Sequence, residues 1–239
     1  MSLPFFYTEP VSSSNKIIAL NEENSRHIVQ VLRMIEGREL NITDGLGTIY
    51  NAEIIEAHKK KCTVKIIDTL KHIAPARKVC IAVSPVKNSS RFEWFLEKAT
   101  EMGVTEIVPL MCERTEKQFL KFDRFRGILI SAMLQSQQAW LPVLGEPVQF
   151  EKFVKENKSD NKFIAHCEVQ NKISLKEITG EIPNQLVNHS TILIGPEGDF
   201  TTNEIGFALQ NNFMPVALGN TRLRTETAAM VAATLLCVH

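Results

Sequence analysis

The chain has 239 residues, of which 44% are hydrophobic and 23% are charged, a composition typical of a globular protein with one large domain or two smaller ones. Its 27 basic and 27 acidic side chains give a formal net charge of zero. This balance excludes a whole-molecule field that attracts nucleic acid, so any nucleic-acid surface must be a local patch. No stretch approaches the ~20 apolar residues of a membrane span.

The sequence also lacks the signals of secretion and of metal binding. The polar run at residues 12–16 stands where a signal peptide needs apolar residues, and the five cysteines include no C-x-x-C pair. The six histidines show no ligand spacing, and His166 with Cys167, next to a strand end, is interpreted as part of core and loop. We therefore expect a cytoplasmic protein with reduced thiols, no metal site and no membrane contact.

The first part of the chain predicts a small strand-rich domain with one helix, between Phe5 and about Leu70. A helix is predicted over residues 22–36, because Asn21 suits a cap, Gly37 suits a stop, and apolar residues recur at helical spacing. The apolar stripe consists of Ile28, Val31, Leu32 and Ile35.

Basic residues of this domain are candidates for phosphate contacts. Arg26 and Arg33 fall on the helix face opposite the stripe, where they either grip phosphates or belong to a solvated face. Strands are predicted at residues 48–55 and 62–67, after a hairpin signal at Asp44-Gly45. The lysine run at residues 59–61 joins them, either as a solvated loop that protects a sheet edge or as a phosphate contact.

After a linker at residues 71–78, strands and helices alternate. Predicted strands cover residues 79–83, 107–110, 162–165, 191–194 and 216–218, and predicted helices cover residues 91–102, 122–139, 203–211 and a last segment from Glu226. Strands separated by helices predict an α/β domain with a mainly parallel sheet covered on both faces.

Two apolar runs in this region each end in a glycine turn. The strand ending at Ile194 leads into the G-P-E-G segment at residues 195–198, and the strand ending at Leu218 leads into Gly219. Glycine lets a ligand come close, and turns at the carboxyl ends of neighbouring strands line one crevice, the usual ligand site of an open α/β sheet. The T-T-N-E segment at residues 201–204 is a capping box that opens the next helix.

Arg224 precedes a helix of small residues beside the second turn. We expect Thr225 to cap that helix. The arginine either forms a structural ion pair with Glu226 or Glu197, or directs its guanidinium at a substrate oxygen.

Short motifs follow one another along nearly the whole chain. Each motif alone is weak, but as a set they are highly specific for one protein family. They are V-L-R at residues 31–33 with D-G at 44–45; E-K-A-T-E-M-G-V at 97–104 with Pro109 and E-R at 113–114; Q-S at 135–136 with Pro142; I-G-P-E-G at 194–198 with E-I at 204–205; and L-G at 218–219 with L-R-T-E-T-A at 223–228. With these motifs the chain resembles the bacterial 16S ribosomal RNA uridine-N3 methyltransferases of the SPOUT superfamily.

The resemblance implies a PUA-like RNA-binding β-barrel at residues 1–72 and a SPOUT α/β methyltransferase domain at residues 73–239, whose last segment forms a trefoil knot. It implies a homodimer that acts on 16S rRNA or the small ribosomal subunit with S-adenosylmethionine as cofactor. Arg114 joins Arg26 and Arg33 as an expected RNA contact. The cofactor-binding residues implied are Ile194, Gly195, Pro196, Glu197, Gly198, Leu218, Gly219, Leu223, Thr225 and Ala228.

The implied reaction agrees with the chemistry of these residues. Uridine N3 is an imide nitrogen that must lose its proton, and negative charge then spreads onto O2 and O4. Arg224 near these oxygens is the predicted catalytic residue, and the proton passes to Glu226 or to water. Because N3 lies on the Watson–Crick edge, the target uridine must be unpaired.

Three departures from the family pattern leave alternatives open. Asp199 stands where a second glycine is common after G-P-E-G, Gln138 stands where an arginine is common, and residues 3–6 lack the usual basic residue. The alternatives are a SPOUT methyltransferase for another RNA position or for ribose 2′-oxygen, and a catalytically silent RNA-binding assembly factor.

Overall fold

The computed structural model describes residues 3–10, 16–116, 121–168, 172–181 and 189–238. The chain forms two compact units, one from Met1–Ala74 with Met133–Leu141 and the other from Pro75–Ala132 with Pro142–His239. Throughout the described ranges, every helix is too short or too polar to span a membrane.

A five-stranded sheet of order β1-β3-β4-β5-β2 forms the first unit. Its strands are β1 (Phe5–Tyr7), β2 (Ile17–Ala19), β3 (Glu39–Thr43), β4 (Thr48–Glu56) and β5 (Thr63–Lys71). Strand β1 pairs with β3 in parallel, and the other pairs are antiparallel. The strand-rich pattern predicted for this part of the chain is confirmed. The side chains that form its core include Ile28, Leu40, Ile42, Ile54 and Val64.

The helix predicted over residues 22–36 is shorter in the structure. Helix α1 spans Glu22–Arg26 and continues only as a π-helical turn over His27–Val31. Asn21 caps α1 as predicted, because its side chain accepts a hydrogen bond from the Asn24 amide at 2.8 Å. Arg33 takes a left-handed conformation with φ of 52°, which ends the helical path before the predicted end.

The π-helical turn also disrupts the predicted apolar stripe. The Leu32 amide donates to the His27 carbonyl at 2.9 Å, an i to i+5 bond that puts more residues in the turn than an α-helix has. Later side chains therefore rotate away from the sheet. Ile28 is fully buried, whereas Val31 is 66% exposed and Ile35 is 65% exposed, so the stripe prediction is wrong beyond Ile28.

The second unit is an α/β fold around a sheet of order β11-β13-β10-β12-β6-β7-β8, with β9 paired to β7. Its strands are β6 (Lys78–Val83), β7 (Glu106–Met111), β8 (Val143–Leu144), β9 (Val148–Gln149), β10 (Asn161–Ala165), β11 (Ile173–Ser174), β12 (His189–Ile194) and β13 (Met214–Ala217). Its helices are α2 (Ser89–Glu101), α3 (Phe122–Gln135), α4 (Phe150–Glu156), α5 (Leu175–Glu181), α6 (Thr202–Gln210) and α7 (Thr225–Cys237). The strand pairs of this sheet are parallel, which confirms the predicted α/β class.

In the second unit, the structure differs from the predicted elements at their ends and in short segments. Helix α3 ends at Gln135 rather than at residue 139, because Gln137 takes a left-handed conformation with φ of 56°. The short elements α4, α5, β8, β9 and β11 have too few residues to show a periodic pattern, and they were not predicted.

The strand order places three loops at one edge of the sheet. The prediction that β12 and β13 are neighbouring strands is wrong, because β10 lies between them: Ala165 is opposite Ile194 on one side and opposite Val216 on the other. Since all three strands run in parallel, their carboxyl ends meet at this edge. The two glycine turns therefore face a crevice whose floor includes the end of β10.

Candidate functional site

The crevice at the ends of β10, β12 and β13 consists of two adjoining hollows. The first has a volume of about 300 Å³ and the second about 410 Å³. Both are bordered by the end of β10 and the loop after it, at Ala165 and Cys167, and by the loop that leads to α7, at Arg222 and Leu223. Volumes of this size suit a small-molecule ligand.

Most of the predicted cofactor-binding residues line these hollows. Those at the first are Gly195, Pro196, Glu197, Leu223 and Thr225; those at the second are Leu218, Gly219 and Leu223. Three predicted residues line neither hollow: Ile194 is buried in β12, Gly198 faces the Arg114 side chain, and Ala228 is half-buried in α7. Seven of the ten predicted cofactor-binding residues thus line the two hollows, and their role in binding a cofactor stays a prediction.

A hydrogen bond joins the G-P-E-G turn to the start of α7. Thr225 is the first residue of that helix, and its hydroxyl donates to the Gly195 carbonyl at 2.9 Å. The prediction that Thr225 caps the helix is wrong, because the N-cap position belongs to Arg224, which makes no side-chain capping bond. The Thr225 hydroxyl is used to tie two walls of the first hollow together instead.

Asp199 makes a second tie between the loops. It takes a left-handed conformation with φ of 63°, which explains how a glycine can also serve at this position. One carboxylate oxygen accepts a hydrogen bond from the Cys167 amide at 2.7 Å, and the other accepts from the Phe200 amide at 2.9 Å. The acidic side chain thus fixes the turn after β12 to the loop after β10.

The predicted capping box at the start of α6 is confirmed and reaches further than expected. Glu204 is only 8% exposed, and one of its oxygens accepts from the Thr201 amide at 2.8 Å. Its other oxygen accepts from the Glu113 amide at 2.9 Å, which fixes the loop after β7. The next residue in that loop, Arg114, donates from its guanidinium to the Gly198 carbonyl at 2.7 Å.

Arg224 is exposed and makes no ion pair with any residue that the structure describes. The two partners considered from the sequence are engaged elsewhere. Glu226 is 8% exposed and lies 3.6 Å from the Arg91 guanidinium, and Glu197 accepts a hydrogen bond from the Lys87 amide at 3.1 Å. The ion-pair interpretation of Arg224 is therefore wrong for both partners, and its guanidinium is available to a substrate.

His166, interpreted from the sequence as part of core and loop, also borders the second hollow, which the sequence did not predict. It follows β10 directly and borders the second hollow, yet it is only 7% exposed. Neither ring nitrogen has a hydrogen-bond partner in the described part of the chain. Burial lowers the pKa of its imidazole, and the nearby Lys172 ammonium lowers it further. The sequence signal that points to it is a histidine directly after the carboxyl end of a buried strand.

The predicted basic residues of the first unit do not share one helix face. Arg26 pairs with Glu22 at 3.1 Å, and both side chains are exposed. Arg33 is also exposed but lies beyond the helical segment. No group of histidine, cysteine and acidic side chains within the described ranges could hold a metal ion.

Comparisons with known proteins identify the family of this chain. A family model described as "RNA methyltransferase domain" matches residues 74–237, and one described as "RNA methyltransferase PUA domain" matches residues 20–67. The chain belongs to this RNA methyltransferase family. A curated relative from Synechocystis sp., "Ribosomal RNA small subunit methyltransferase E", is 30% identical over 90% of this chain and 71% of its own length. The resemblance inferred from the motifs is confirmed.

Solved structures of this RNA methyltransferase family have the same fold. A "probable rRNA-methyltransferase" from Porphyromonas gingivalis is 36% identical, with a TM-score of 0.86 over 97% of this chain and 96% of that one. A ribosomal RNA small subunit methyltransferase E from Neisseria gonorrhoeae, bound to S-adenosyl methionine, is 27% identical, with a TM-score of 0.83 over 97% and 95% of the two chains.

Proposed function

We propose that this chain transfers a methyl group from S-adenosylmethionine to N3 of a uridine in 16S rRNA. The observation that carries the proposal is the exposed Arg224 guanidinium, which lines the first hollow and has no ion-pair partner among the described residues, in a chain of the RNA methyltransferase family. The related protein from Neisseria gonorrhoeae was solved with the same cofactor.

The crevice residues fit this cofactor. Gly219 has φ of 151°, and a Cβ at that position would meet no atom within 4 Å, so the turn after β13 borders open space. His166 presents buried ring nitrogens that need a partner. The cofactor, when bound, supplies an activated methyl group on its sulfonium. We propose that the residues predicted to hold it do so through the loops that border the two hollows.

Arg224 is proposed to stabilise the charge that develops on the uracil. Loss of the N3 proton spreads negative charge onto O2 and O4, and a guanidinium can donate to these oxygens in a charge-assisted hydrogen bond. Because Arg224 lines the first hollow, the reacting methyl group belongs there. Holding N3 in line with that methyl group provides further rate enhancement.

Two acceptors are available for the N3 proton, Glu226 and water. Glu226 is only 8% exposed and is engaged with the Arg91 guanidinium at 3.6 Å, so an incoming uridine meets water more readily than this carboxylate. The structure of this pair therefore favours water as the acceptor and gives Glu226 a role in holding the start of α7.

RNA binding is proposed for residues of both units. Residues 1–72 form the RNA-binding domain, with Arg26 and Arg33 on phosphates, and residues 73–239 form the methyltransferase domain, with its last segment in a trefoil knot. Arg114 is exposed and uses one guanidinium nitrogen on Gly198, so its other N–H groups, which have no partner among the described residues, can meet a phosphate while it supports the cofactor turn. From its membership of this family, we also propose that the protein is a cytoplasmic homodimer.

The proposal is tested by binding and by product mapping. Calorimetry should show that the full chain binds S-adenosylmethionine, and mass spectrometry of digested rRNA, taken from cells that lack the protein and then treated with it, should show 3-methyluridine. Methylation at another base position or at a ribose 2′-oxygen would assign a different target. Absence of cofactor binding at millimolar concentration would instead indicate a silent RNA-binding protein.

A further inference from the structure

The His166 side chain lines the second hollow, and the fold alone does not explain why its ring nitrogens are buried there without hydrogen-bond partners among the described residues. The ring is buried to more than nine-tenths, and both nitrogens lack a partner in the described residues. A buried polar atom is destabilising unless it is hydrogen-bonded, so this arrangement is costly in the ligand-free chain. Because His166 borders the hollow, a ligand group that binds against the ring would satisfy it.

The charges around the ring determine what kind of group it can bind. Burial and the Lys172 ammonium lower the pKa of the imidazole, and these effects outweigh the opposing effects of Asp199 and Glu168. Near neutral pH the ring is therefore uncharged, with one nitrogen that donates and one that accepts. A neutral ring of this kind matches a hydroxyl group, which also donates and accepts and can rotate to suit either nitrogen.

The position of the hollow indicates which part of the cofactor reaches His166. Arg224 lines the first hollow and not the second, so a methyl group that reacts beside Arg224 leaves the rest of the cofactor to extend into the second hollow. The apolar side chains Val216 and Leu218 there suit the flat adenine ring. The Lys172 ammonium, which donates to the His166 carbonyl, is the better match for a carboxylate.

We propose that His166 hydrogen-bonds a ribose hydroxyl of S-adenosylmethionine and so positions the cofactor in the second hollow. This inference rests on the proposed function, since it presumes that the crevice binds this cofactor. It assigns His166 a positioning role and not a chemical step.

The test is calorimetry on the full chain with the substitution His166→Phe, which keeps a flat ring and removes both nitrogens. The probes are S-adenosylmethionine, 5′-methylthioadenosine, which lacks the amino-acid tail, and the 2′-deoxy and 3′-deoxy forms of 5′-methylthioadenosine. We expect about five- to tenfold weaker binding of the first two ligands, the effect of one lost hydrogen bond. For the deoxy form that lacks the bound hydroxyl, we expect the substitution to change affinity by less than about twofold, because the bond is already absent.

A second readout separates this role from a structural one. Without ligand, the phenylalanine variant should unfold at a temperature equal to or above that of the wild-type chain, because unpartnered nitrogens have been removed. The matched control is His189→Phe at the amino end of β12, which should leave the affinity for 5′-methylthioadenosine unchanged. If His166→Phe does not fold, His166→Asn retains a donor and an acceptor and should bind both ligands within about threefold of wild type.

Three outcomes would overturn the inference. Weaker binding of S-adenosylmethionine without weaker binding of 5′-methylthioadenosine would assign His166 to the tail, and equal losses for both deoxy forms would assign it to adenine. Unchanged affinity for every probe would remove it from the site. Failure of the wild-type chain to bind S-adenosylmethionine would contradict the proposed function itself.

Discussion

The hydrogen bond from Thr225 to Gly195 gives a sharp test of how the first hollow is held together. We expect Thr225→Val, which keeps the shape of the side chain and removes the hydroxyl, to lower the free energy of unfolding by about 1–3 kcal/mol. The reason is that Thr225 is 5% exposed and donates at 2.9 Å, so the change leaves the Gly195 carbonyl without this buried donor. For a chain of this size, 1 kcal/mol corresponds to roughly 2–4 °C in the unfolding temperature.

The assays are thermal unfolding and calorimetric titration with S-adenosylmethionine. Cofactor affinity should fall with stability, because the lost bond joins the G-P-E-G turn to α7 across the hollow. Thr234→Val in the same helix is the matched control. The Thr234 hydroxyl donates at 2.9 Å to the Met230 carbonyl, four residues earlier in α7. That carbonyl keeps its helical backbone hydrogen bond when the hydroxyl is removed, so the substitution should cost little stability. Thr225→Ser should restore most of the loss. Equal stability of Thr225→Val and Thr234→Val would refute the reasoning.

Three further predictions concern the rest of the site. Arg224→Ala should lower the methylation rate about 10²- to 10³-fold with unchanged cofactor affinity, and Arg224→Lys should recover part of the rate, measured by single-turnover transfer to rRNA; full activity of the alanine variant would exclude the proposed role. Glu204→Gln should lower the free energy of unfolding by about 1.5–3 kcal/mol, measured with denaturant. The buried carboxylate accepts hydrogen bonds from two backbone N–H groups, and the NH2 group of glutamine would face one of them, donor against donor. Wild-type stability would contradict this. Cys167 is exposed as a residue, but partial desolvation of its thiol and then the Asp199 charge raise the pKa of that thiol. Alkylation of Cys167, monitored by intact mass, should therefore speed up with rising pH and should be blocked by S-adenosylmethionine. Labelling that the cofactor does not slow would place Cys167 outside the bound site.

The sequence predicted the parts of the site whose signals are local. The G-P-E-G turn, the capping box at Thr201 and the glycine after β13 are each determined by a few adjacent residues, and their chemistry is readable without knowledge of the fold. The same local signals identified the major strands of the α/β unit, because a buried parallel strand is a continuous apolar run.

The features that were missed depend on contacts distant in the chain. The placement of β10 between β12 and β13 is a matter of strand order, which periodicity does not report. The Thr225 hydroxyl bonds a carbonyl 30 positions earlier, so its local pattern indicated a helix cap instead. The π-helical turn at His27–Val31 shifts the register of an apparently regular apolar stripe, and only the observed backbone shows the shift.

The ties around the first hollow bear on how cofactor and RNA binding are related. Asp199 holds the turn after β12 to the loop after β10, and Thr225 holds the same turn to α7. Arg114 holds the turn from the side of β7 while keeping an exposed guanidinium. A turn fixed from three sides loses little conformational freedom when a ligand binds, so binding costs less entropy. Because one of the three ties is itself a proposed RNA contact, a phosphate that draws Arg114 away from Gly198 would loosen the cofactor wall, whereas one bound by its remaining N–H groups would leave that wall intact.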